Sequence, residues 1–451
     1  MRPRSITGPV ILVSIGVLFL LNNLRPDFSP FAVLARYWPF LLILTGVVGL
    51  VEVLFHASRG AEATPRPMGG GWIFWIIFWC VVASMFSGRN GFRVGPFVGF
   101  NGDGFSVFGS SYDYDLKQAS MQQVGSQGVT RILVDNSRGS VTVRGDASGD
   151  VKVTGRKSIR ALNRSEADRA NAQGGLNLER QGDTLLVRTQ MPGHGTLQVT
   201  TDMELTVPRG LNVEVRGQRG DVTVEDIDGD TGITSSRGDV HLSRIGKDAK
   251  VDGSRTGLVR VADLKGGLDL QGRGNDVQLE NVAGPVTING DYSGTLEFHA
   301  LAKPMRFQSS RTEFRVEAVP GSITMDLGEL KLSNVAGPVR FSTGTRDIEA
   351  VDVTNAIDFS VERGDIQVTA GKGPLPKMDV RSRHGDITVS LPDKTGFQLK
   401  GSTGHGEVEN EFGAPLTTQS KGRGAVIEGG GGSGPVINLE TDRGTVSVKK
   451  L

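Results

Sequence analysis

The chain has 451 residues, more than one compact core usually holds, and its 63 glycines and 19 prolines lack the Gly-X-Y period of collagen. Its 50 basic and 49 acidic residues are interspersed along the chain, which excludes the basic face that nucleic-acid binding needs, so no nucleic acid is expected among its partners. Cys80 is the only cysteine, and an intrachain disulfide is therefore impossible.

Three apolar runs open the chain, at about residues 6–24, 37–55 and 71–87. Each is close to the roughly 20 residues that an α-helix needs to cross a bilayer. A cleaved signal peptide is the alternative for the first run, but no small-x-small cleavage site follows it and two more apolar runs do. Residues 1–87 are therefore predicted to be a membrane anchor of three transmembrane helices, with the lipid bilayer as their partner.

Two features of the anchor have both a structural and a functional interpretation. Glu52 lies near the end of the second run, where an interfacial position is favoured over an intramembrane functional carboxylate. Trp72, Trp75 and Trp79 share one helical face, which is typical of packing within a membrane and is also compatible with contact to a specific partner helix.

The orientation of the anchor depends on its first helix. The flanking arginines divide equally between the two sides of the membrane, so their count does not decide the orientation. The short N-terminal flank, however, carries Arg2 and Arg4 without an acidic residue, and the first helix usually dominates. This predicts an integral cell-membrane protein whose C-terminal part lies outside the cytoplasm.

The first two helices carry a specific pattern. Asn22-Asn23 follows the first helix, and Tyr37-Trp38-Pro39 opens the second. With these residues the segment resembles the LiaI–LiaF-like transmembrane region of bacterial envelope proteins. The resemblance implies association with envelope-stress and other membrane regulatory modules, and it defines no activity.

Residues 88–128 are predicted to be a linker, because they are rich in glycine and polar residues and only weakly periodic. Phenylalanines are spaced along its first half. Two positions remain open for them, the membrane interface and the cap of the first coil of the following domain. They are Phe92, Phe97, Phe100, Phe105 and Phe108.

A motif recurs every 18 residues in the C-terminal part of the chain, and each copy is followed by a short alternating apolar stretch such as Val222-Thr223-Val224. A period this short indicates stacked units that cannot fold alone. Residues 129–451 are therefore predicted to form a mainly β, single-chain β-solenoid with coils of about 18–20 residues. The copies are Arg219-Gly220-Asp221, Arg237-Gly238-Asp239, Arg255-Thr256-Gly257 and Arg273-Gly274-Asn275.

The motif has a structural reason. Glycine permits the positive φ of a tight corner, and stacking would bring arginines within about 5 Å, where each pair repels by roughly 1 kcal/mol in water. The aspartate two residues later is predicted to offset that repulsion. Later in the chain, Asn281–Val286 recurs as Asn334–Val339, a separation close to three coils.

One insertion interrupts the strands. Asn163 and Glu166 form a capping-box-like start, which predicts a short surface helix near residues 163–173. At the far end, Lys449 and Lys450 are predicted to blunt an exposed edge strand, which argues against end-to-end assembly.

The repeat region resembles the putative-adhesin β-solenoid family of bacterial envelope proteins. The match is strongest over residues 204–224, where Val207-Pro208-Arg209-Gly210 leads into the first 18-residue copy, and it includes Thr441–Val448 near the end. The resemblance implies a fold and an envelope location. It implies no catalytic chemistry.

Arg-Gly-Asp occurs four times, beginning at Arg144, Arg219, Arg237 and Arg363. Elsewhere this tripeptide can be an integrin ligand, but here it coincides with the repeat turn, so a structural corner is the favoured interpretation. We expect no catalytic, cofactor-binding or metal-binding residues.

Two other residue sets have a functional alternative. His384 and His405 are 21 residues apart and could stack on one edge as a metal pair, although zinc sites usually need three or four ligands. Carboxylates recur at turns and could line a carbohydrate-active groove, although none is distinctive. They are Asp226, Asp228, Asp230, Asp248 and Asp263.

The sequence thus predicts a membrane-anchored envelope protein with a non-catalytic, adhesin-like binding or scaffold domain. Its expected partners are the bilayer and an envelope glycan or protein. Two alternatives stay open: a regulatory membrane protein with a signalling partner, and a carbohydrate-active β-helix enzyme.

Overall fold

We describe the protein from a computed structural model. The structure describes residues 99–101, 104–106, 110–117, 119–122, 128–161, 163–190, 197–371 and 373–451. The predicted transmembrane helices at 6–24, 37–55 and 71–87 lie outside these residues. Within the described part, no helix combines the length and apolar character that a bilayer crossing requires.

The chain divides into two compact units, Met1–Gly109 and Ser110–Leu451. The described residues of the first unit form an antiparallel hairpin of β1 (Gly99–Asn101) and β2 (Gly104–Ser106).

The second unit consists of strands β3 to β34 and one helix, α1 (Arg164–Gln173). Its first strands are β3 (Ser110–Asp115), β4 (Ala119–Met121), β5 (Arg131–Asn136), β6 (Val141–Asp146), β7 (Val151–Ala161), β8 (Gly175–Gln181), β9 (Thr184–Gln190), β10 (Gln198–Pro208), β11 (Asn212–Gly217), β12 (Val222–Ile227), β13 (Thr231–Ser235), β14 (Gly238–Ile245), β15 (Ala249–Leu264), β16 (Leu268–Val282), β17 (Val286–Tyr292), β18 (Leu296–Leu301) and β19 (Met305–Gln308).

The remaining strands are β20 (Thr312–Val316), β21 (Val319–Met325), β22 (Glu329–Ala336), β23 (Val339–Thr345), β24 (Asp347–Thr354), β25 (Ala356–Arg363), β26 (Ile366–Thr369), β27 (Lys377–His384), β28 (Ile387–Leu391), β29 (Phe397–His405), β30 (Val408–Asn410), β31 (Leu416–Lys421), β32 (Gly424–Gly431), β33 (Val436–Arg443) and β34 (Val446–Lys450).

The strands form two facing stacks, which confirms a mainly β, solenoid-like fold. Stack A runs β8, β9, β5, β11, β13, the first part of β15 and of β16, β17, β19, β20, β23, β25, β27, β33, β29, β32, β31. Stack B runs β7, β10, β6, β12, β14, the second part of β15 and of β16, β18, β21, β22, β24, β26, β28, β34, β30, with β3 and β4 beside β7. A coil is one strand of each stack.

Alternation places the aliphatic residues of both stacks in one core. Val213 and Val215 in stack A and Val222 and Val224 in stack B are each at most 1% exposed, whereas Thr223 points outward. Most coils pair with the next in parallel, Val213 with Thr231 for example, so each aliphatic stripe continues the one beside it. The predicted aliphatic spine is therefore confirmed.

One coil in the middle of the stacks runs backwards. Strands β20 and β21 are antiparallel to their neighbours on both sides, whereas the other antiparallel pairs of the two stacks lie at their ends. We call residues 312–325 the reversed coil. Asn281 and Asn334 lie three rungs apart, as the sequence predicted, but the reversed coil is one of these rungs. Phe314 packs edge-on against Phe341 across its boundary, with ring centroids 5.6 Å apart.

Two coils are inserted between coils that follow each other in the sequence. The coil β5–β6 lies between β9–β10 and β11–β12. Similarly, β33–β34 lies between β27–β28 and β29–β30. The predicted exposed edge is therefore wrong for Val446–Val448, which have a partner strand on each side, whereas Lys449 and Lys450 pair with β28 alone. We call β5–β6 and β33–β34 the inserted coils.

The predicted linker of residues 88–128 needs a correction at its C-terminal end. Strands β3 and β4 fall within it but pair with β7, so they belong to the solenoid sheet rather than to a spacer. The alternation of tyrosine and aspartate in β3 is a weak strand signal, because the tyrosines contact a small second cluster instead of the main core. That cluster contains Ile159, Ala161, Ala167, Ala170 and Val199.

Helix α1 covers this second cluster at the position where the sequence predicts a helix. The Asn163 side chain caps it by accepting a hydrogen bond from the Glu166 N–H at 2.9 Å. Lys157, which is only 4% exposed, donates from Nζ to the Gly174 carbonyl at 2.7 Å and so satisfies the C-terminal end. Its burial lowers the pKa of the Lys157 amine.

Candidate binding surfaces

The glycine of each repeat motif lies at the connection from stack A to stack B, which we call the glycine corner. Gly220 and Gly238 have φ values of +134° and +129°, a region that glycine adopts without strain. Neighbouring corners also touch, since a Cβ on Gly238 would lie 2.2 Å from the Gly220 carbonyl oxygen. Glycine is therefore required both by the positive φ at this position and by the close approach of the neighbouring coil.

The aspartate of the motif joins one coil to the next. Asp221 Oδ1 accepts a hydrogen bond from the Asp239 N–H at 2.9 Å, and Asp239 Oδ1 accepts from the Leu258 N–H at 2.9 Å. The same bond recurs where Asp365 Oδ1 accepts from the Asp386 N–H. Among the described residues, no ion pair joins these aspartates to the corner arginines. Besides their charge, the aspartates therefore contribute a hydrogen bond to the backbone of the next coil, which the sequence did not reveal.

The four Arg-Gly-Asp tripeptides do not share one position, contrary to the prediction. Those beginning at Arg219, Arg237 and Arg363 lie at glycine corners, whereas Arg144 lies within β6 and pairs with Glu225 near the opposite corner. The matching glycine corner of that coil is Gly139, whose N–H donates to the Arg219 carbonyl at 2.8 Å. Local sequence alone does not distinguish the two corners.

Buried hydroxyls line the inner side of the later glycine corners. Ser382, Thr441 and Thr403 occupy the same position on β27, β33 and β29. Each donates to the carbonyl of a neighbouring corner glycine, at 3.1, 3.0 and 2.8 Å respectively. These bonds satisfy carbonyls that the tight corner would otherwise leave without a donor.

The carboxylates of the enzyme alternative lie at the connection from stack B to stack A, the second corner. Asp226 has a left-handed φ of 58° and accepts two hydrogen bonds from Arg244, at 2.8 and 2.9 Å. Those bonds lower the pKa of the Asp226 carboxyl. Asp263 accepts from the Asn281 amide at 2.6 Å, and Asp248 accepts from the Gly267 N–H at 2.7 Å.

These bonds hold successive coils in register rather than gathering the acids into a groove. Asp228 and Asp230 follow at the same corner, where the Asp230 N–H donates to the Asn212 side chain at 2.9 Å. The left-handed φ recurs at Arg244, Asp263 and Asn281. Aspartate and asparagine tolerate this conformation better than most residues, so the sequence held a signal for the second corner.

The two histidines are not neighbours. His384 pairs with Arg443, and Arg443 pairs with His405, because an inserted coil separates β27 from β29. A spacing of 21 residues therefore corresponds to two rungs here, not one. In the part of the chain that the structure describes, no three histidine, cysteine or acidic side chains are grouped to hold a metal ion.

The outer face of stack A carries an open polar groove of about 950 Å³ across six coils. Its floor is lowered at Gly232, which has no side chain. In one outward row, Gly232 lies between Glu214 on the preceding coil and Lys250 on the following coil. Asp269 and Thr287 continue that row on the next two coils. The row thus presents an acid, a glycine, a base, an acid and a hydroxyl on five successive coils, a surface suited to an extended polar ligand.

A second open depression of about 670 Å³ lies on the same face beyond the reversed coil. Small residues of β23 and β25 form its floor, and arginines and acids surround it. The arginines are Arg311, Arg381 and Arg383, and the acids are Glu362, Glu440 and Asp442. Several of these are paired with each other, as Arg381 is with Glu440 at 3.9 Å.

Family models match both parts of the chain. Residues 129–449 match the model described as Toastrack DUF4097, and residues 6–50 match the LiaI-LiaF-like transmembrane region. Both resemblances inferred from the sequence are thus confirmed, and the second match indicates a membrane protein. A search of curated proteins finds no match.

Three solved structures align with the solenoid at low identity. A putative cell adhesion protein from Clostridium sporogenes is 10% identical, with 75% of this chain and 100% of that chain covered and a TM-score of 0.19. A putative adhesin from Parabacteroides distasonis is 12% identical, with 76% and 98% covered and a TM-score of 0.22. A putative adhesin from Bacteroides fragilis is 14% identical, with 76% and 96% covered and a TM-score of 0.15.

Proposed function

Because the chain belongs to the Toastrack DUF4097 family, we propose that its solenoid is a non-catalytic binding or scaffold body held at the cell envelope by an N-terminal membrane anchor. The anchor comprises the three helices predicted at 6–24, 37–55 and 71–87. The solenoid lies outside the cytoplasm, where it meets an envelope glycan or protein.

The observation that carries this proposal is the continuous outward row on stack A. Glu214, Gly232, Lys250, Asp269 and Thr287 follow one another on successive coils at about 4.8 Å per rung. Such a row offers polar contacts at a regular spacing, which suits an extended partner. The enzyme alternative is weakened because Asp226, Asp248 and Asp263 are engaged in bonds between coils.

Binding to isolated cell envelopes tests the proposal. The full chain would be reconstituted in nanodiscs, and its co-sedimentation with envelopes would be compared with that of a Lys250→Ala, Asp269→Ala variant. These two neighbours lie in the row of stack A, so we expect at least about a fivefold loss of binding, which corresponds to roughly 1 kcal/mol. The matched control is Arg260→Ala, Gln278→Ala, which alters the outer face of stack B on the same two coils.

Two results would contradict the proposal. One is equal binding by both variants and the wild-type protein. The other is turnover of an envelope polysaccharide by the full chain, which would restore the enzyme alternative. Cleavage of the solenoid by protease added to intact cells is expected, and its protection would place the solenoid in the cytoplasm.

A regulatory role is the second candidate, favoured by the LiaI-LiaF-like match over residues 6–50. In that case the helices would contact a signalling partner. Crosslinkers introduced on the Trp72, Trp75 and Trp79 face would then capture a sensor protein in cells. Crosslinks to lipid alone would count against this role.

A further inference from the structure

Five arginines occupy the same position on five successive glycine corners. The corner glycine N–H donates to the arginine carbonyl of the next coil, from Gly139 to Arg219 at 2.8 Å and from Gly220 to Arg237 at 3.0 Å. Pairing of Gly238 with Thr256, and of Thr256 with Gly274, continues the alignment. The five residues, which we call the arginine column, are Arg138, Arg219, Arg237, Arg255 and Arg273.

Within the described part of the chain, no hydrogen bond or ion pair involves the guanidinium groups of the arginine column, and all except Arg138 are exposed. Arg273 does act on Asp291 of the next coil, because hydrogen bonds from Ser310 and the charge of Arg273 both lower the pKa of the Asp291 carboxyl. By contrast, most other arginines on the outer faces are paired, as Arg244 is with Asp226 and Arg340 with Asp358, both at 2.8 Å.

The corner itself does not need these side chains. Glycine supplies the left-handed backbone, the aspartate carboxylate joins the next coil, and the arginine contributes only its carbonyl oxygen to the ladder. Asp291 occupies the same position on the next coil, and His384 and His405 occupy it further on. Since the position accepts an acid or a histidine, five consecutive arginines are not explained by the turn.

The charge of the column is only partly offset. The third residues of the five corners include two acids, Asp221 and Asp239, against five arginines; the other three are Ser140, Gly257 and Asn275. Like charges at neighbouring rungs repel, and a fold that retains them without an internal partner holds an unfavourable interaction. A bound anion at each rung would remove it through charge-assisted hydrogen bonds.

We propose that the arginine column binds a linear anionic glycan laid along the glycine corners. This deepens and rests on the proposed function, since it names the ligand class of a binding solenoid. The column is single file and about 19 Å long, at about 4.8 Å per rung. Successive carboxylate or phosphate groups of an extended polymer match such a line, because each guanidinium can grip one anionic group in a bidentate fashion.

A chain polymer fits this geometry better than a lipid surface does. Peripheral membrane binding usually combines basic residues with apolar ones that enter the interface. The exposed large apolar residues of the described chain are Leu327, Val351, Val436 and Leu451, and none lies at a corner of the arginine column. The arginine column, which has no exposed apolar residue beside it, therefore favours a soluble polyanion over a lipid surface as its ligand.

The test measures binding of the full chain, in nanodiscs of zwitterionic lipid, to polygalacturonate as the probe and to neutral dextran. The variant Arg219→Gln, Arg237→Gln, Arg255→Gln removes the centre of the column while leaving the corner glycines and aspartates intact. At about 50 mM salt we expect at least a tenfold loss of affinity for polygalacturonate, and a weaker dependence of the remaining affinity on salt. Wild-type binding to dextran is expected to be absent.

The matched control removes the same charge from paired arginines, as Arg144→Gln, Arg188→Gln, Arg340→Gln. Their ion-pair distances are 3.4, 3.2 and 2.8 Å. We expect this variant to bind polygalacturonate within about twofold of wild type, since it leaves the column unchanged. Circular dichroism of both variants checks that the strands are retained.

Several outcomes would overturn the inference. They are equal loss in both variants, no loss in the column variant, and tighter wild-type binding to duplex DNA or to phosphatidylglycerol vesicles than to polygalacturonate. If wild type and column variant bind isolated envelopes equally well, the column inference fails while the proposed function stands. If the wild-type protein does not bind envelopes at all, both fail.

Discussion

Replacing Arg346 with methionine should loosen the reversed coil. Arg346 is 9% exposed, and its guanidinium bridges the two ends of that coil. Its Nη1 donates to Thr312 Oγ1 at 2.6 Å, where the coil begins, and its Nε donates to the Asp326 carbonyl at 2.5 Å, just after the coil ends. One side chain thus contacts both ends of the reversed coil.

The expected loss follows from these two bonds at the ends of the reversed coil; a third and longer bond, from Nη1 to Thr343 Oγ1 at 3.2 Å, ends on the neighbouring β23. A hydrogen bond from a charged donor contributes about 1.5–3 kcal/mol, so the pair contributes roughly 3–6 kcal/mol before costs. Burial of the guanidinium, which lowers the pKa of Arg346, offsets part of this, and methionine keeps most of the apolar contact. Thr312 and Thr343 also remain bonded to each other at 3.1 Å. We therefore expect a net loss of about 2 kcal/mol, or roughly 30-fold in the opening equilibrium.

Hydrogen exchange of the backbone amides in residues 312–325 measures this opening. In Arg346→Met these amides should exchange roughly 30-fold faster, while amides in coils far from the boundary keep their rates. The control is Arg315→Met, which lies on the same coil but is exposed and paired only with Glu313. Should the two variants exchange at the same rate, the guanidinium would not be what holds the reversed coil.

Three further predictions concern the corners. Thr441→Val keeps the shape of a buried side chain but removes its bond to a corner carbonyl, so the unfolding free energy should fall by about 1 kcal/mol in denaturant titration. Gly238→Ala should lower the melting temperature clearly, because an alanine there is strained and collides with the adjacent backbone, whereas Gly232→Ala, with its nearest neighbour at 3.8 Å, should change it little. Hydrogen bonds from Ser310 lower the pKa of the Asp291 carboxyl in the folded protein. The stability that Asp291 contributes is therefore complete above its unfolded pKa of about 3.9 and is lost as the pH falls through its lower folded pKa. In Asp291→Asn, the free energy of unfolding should accordingly fall less steeply with decreasing pH in the acid range.

Each of these has an outcome that would contradict it. Unchanged stability of Thr441→Val would mean that water replaces the hydroxyl donor. Equal melting temperatures for the two glycine variants would mean that the corner can open to admit a side chain. If the unfolding free energy of Asp291→Asn falls with acid pH as steeply as that of the wild type, other carboxylates control the stability there.

The sequence predicted the coil and its glycine corner because both depend on local chemistry. Val222-Thr223-Val224 alternates as a half-buried strand must, and Gly238 is needed where φ is positive. The helix after Asn163 was likewise visible from its cap. These features repeat with the period of the fold, so each copy supports the others.

The reversed coil could not be predicted in the same way. Phe314 and Val316 on β20 alternate with polar residues as on any other strand, and an alternating strand can pair in either direction. Nothing in its own pattern therefore records direction. The inserted coils are hidden for a related reason: Met378 pairs with Ile437, which is far from the spacing of one coil.

The binding surfaces were only partly visible from sequence. The arginines at 18-residue steps were evident, but their charge was predicted to be offset by the aspartates of the motif. The hydrogen bond that Asp221 accepts from the N–H of the next coil cannot be inferred from spacing. The groove on stack A depends on Gly232, whose outward position follows from register rather than from its own identity. The separation of His384 from His405 depends on the inserted coil.

The inserted coils also constrain the order in which the chain can be assembled. As a ribosome releases the protein, β5–β6 emerges before either coil that covers it, so its two sheet edges stay open until residues 184–227 have been made. Conversely, β27–β28 and β29–β30 leave a gap between them that only residues 436–450 fill. A nascent chain therefore cannot wind up rung by rung as it is translated, and a shortened translation product that lacks those residues would lose an interior layer rather than fray at its tip.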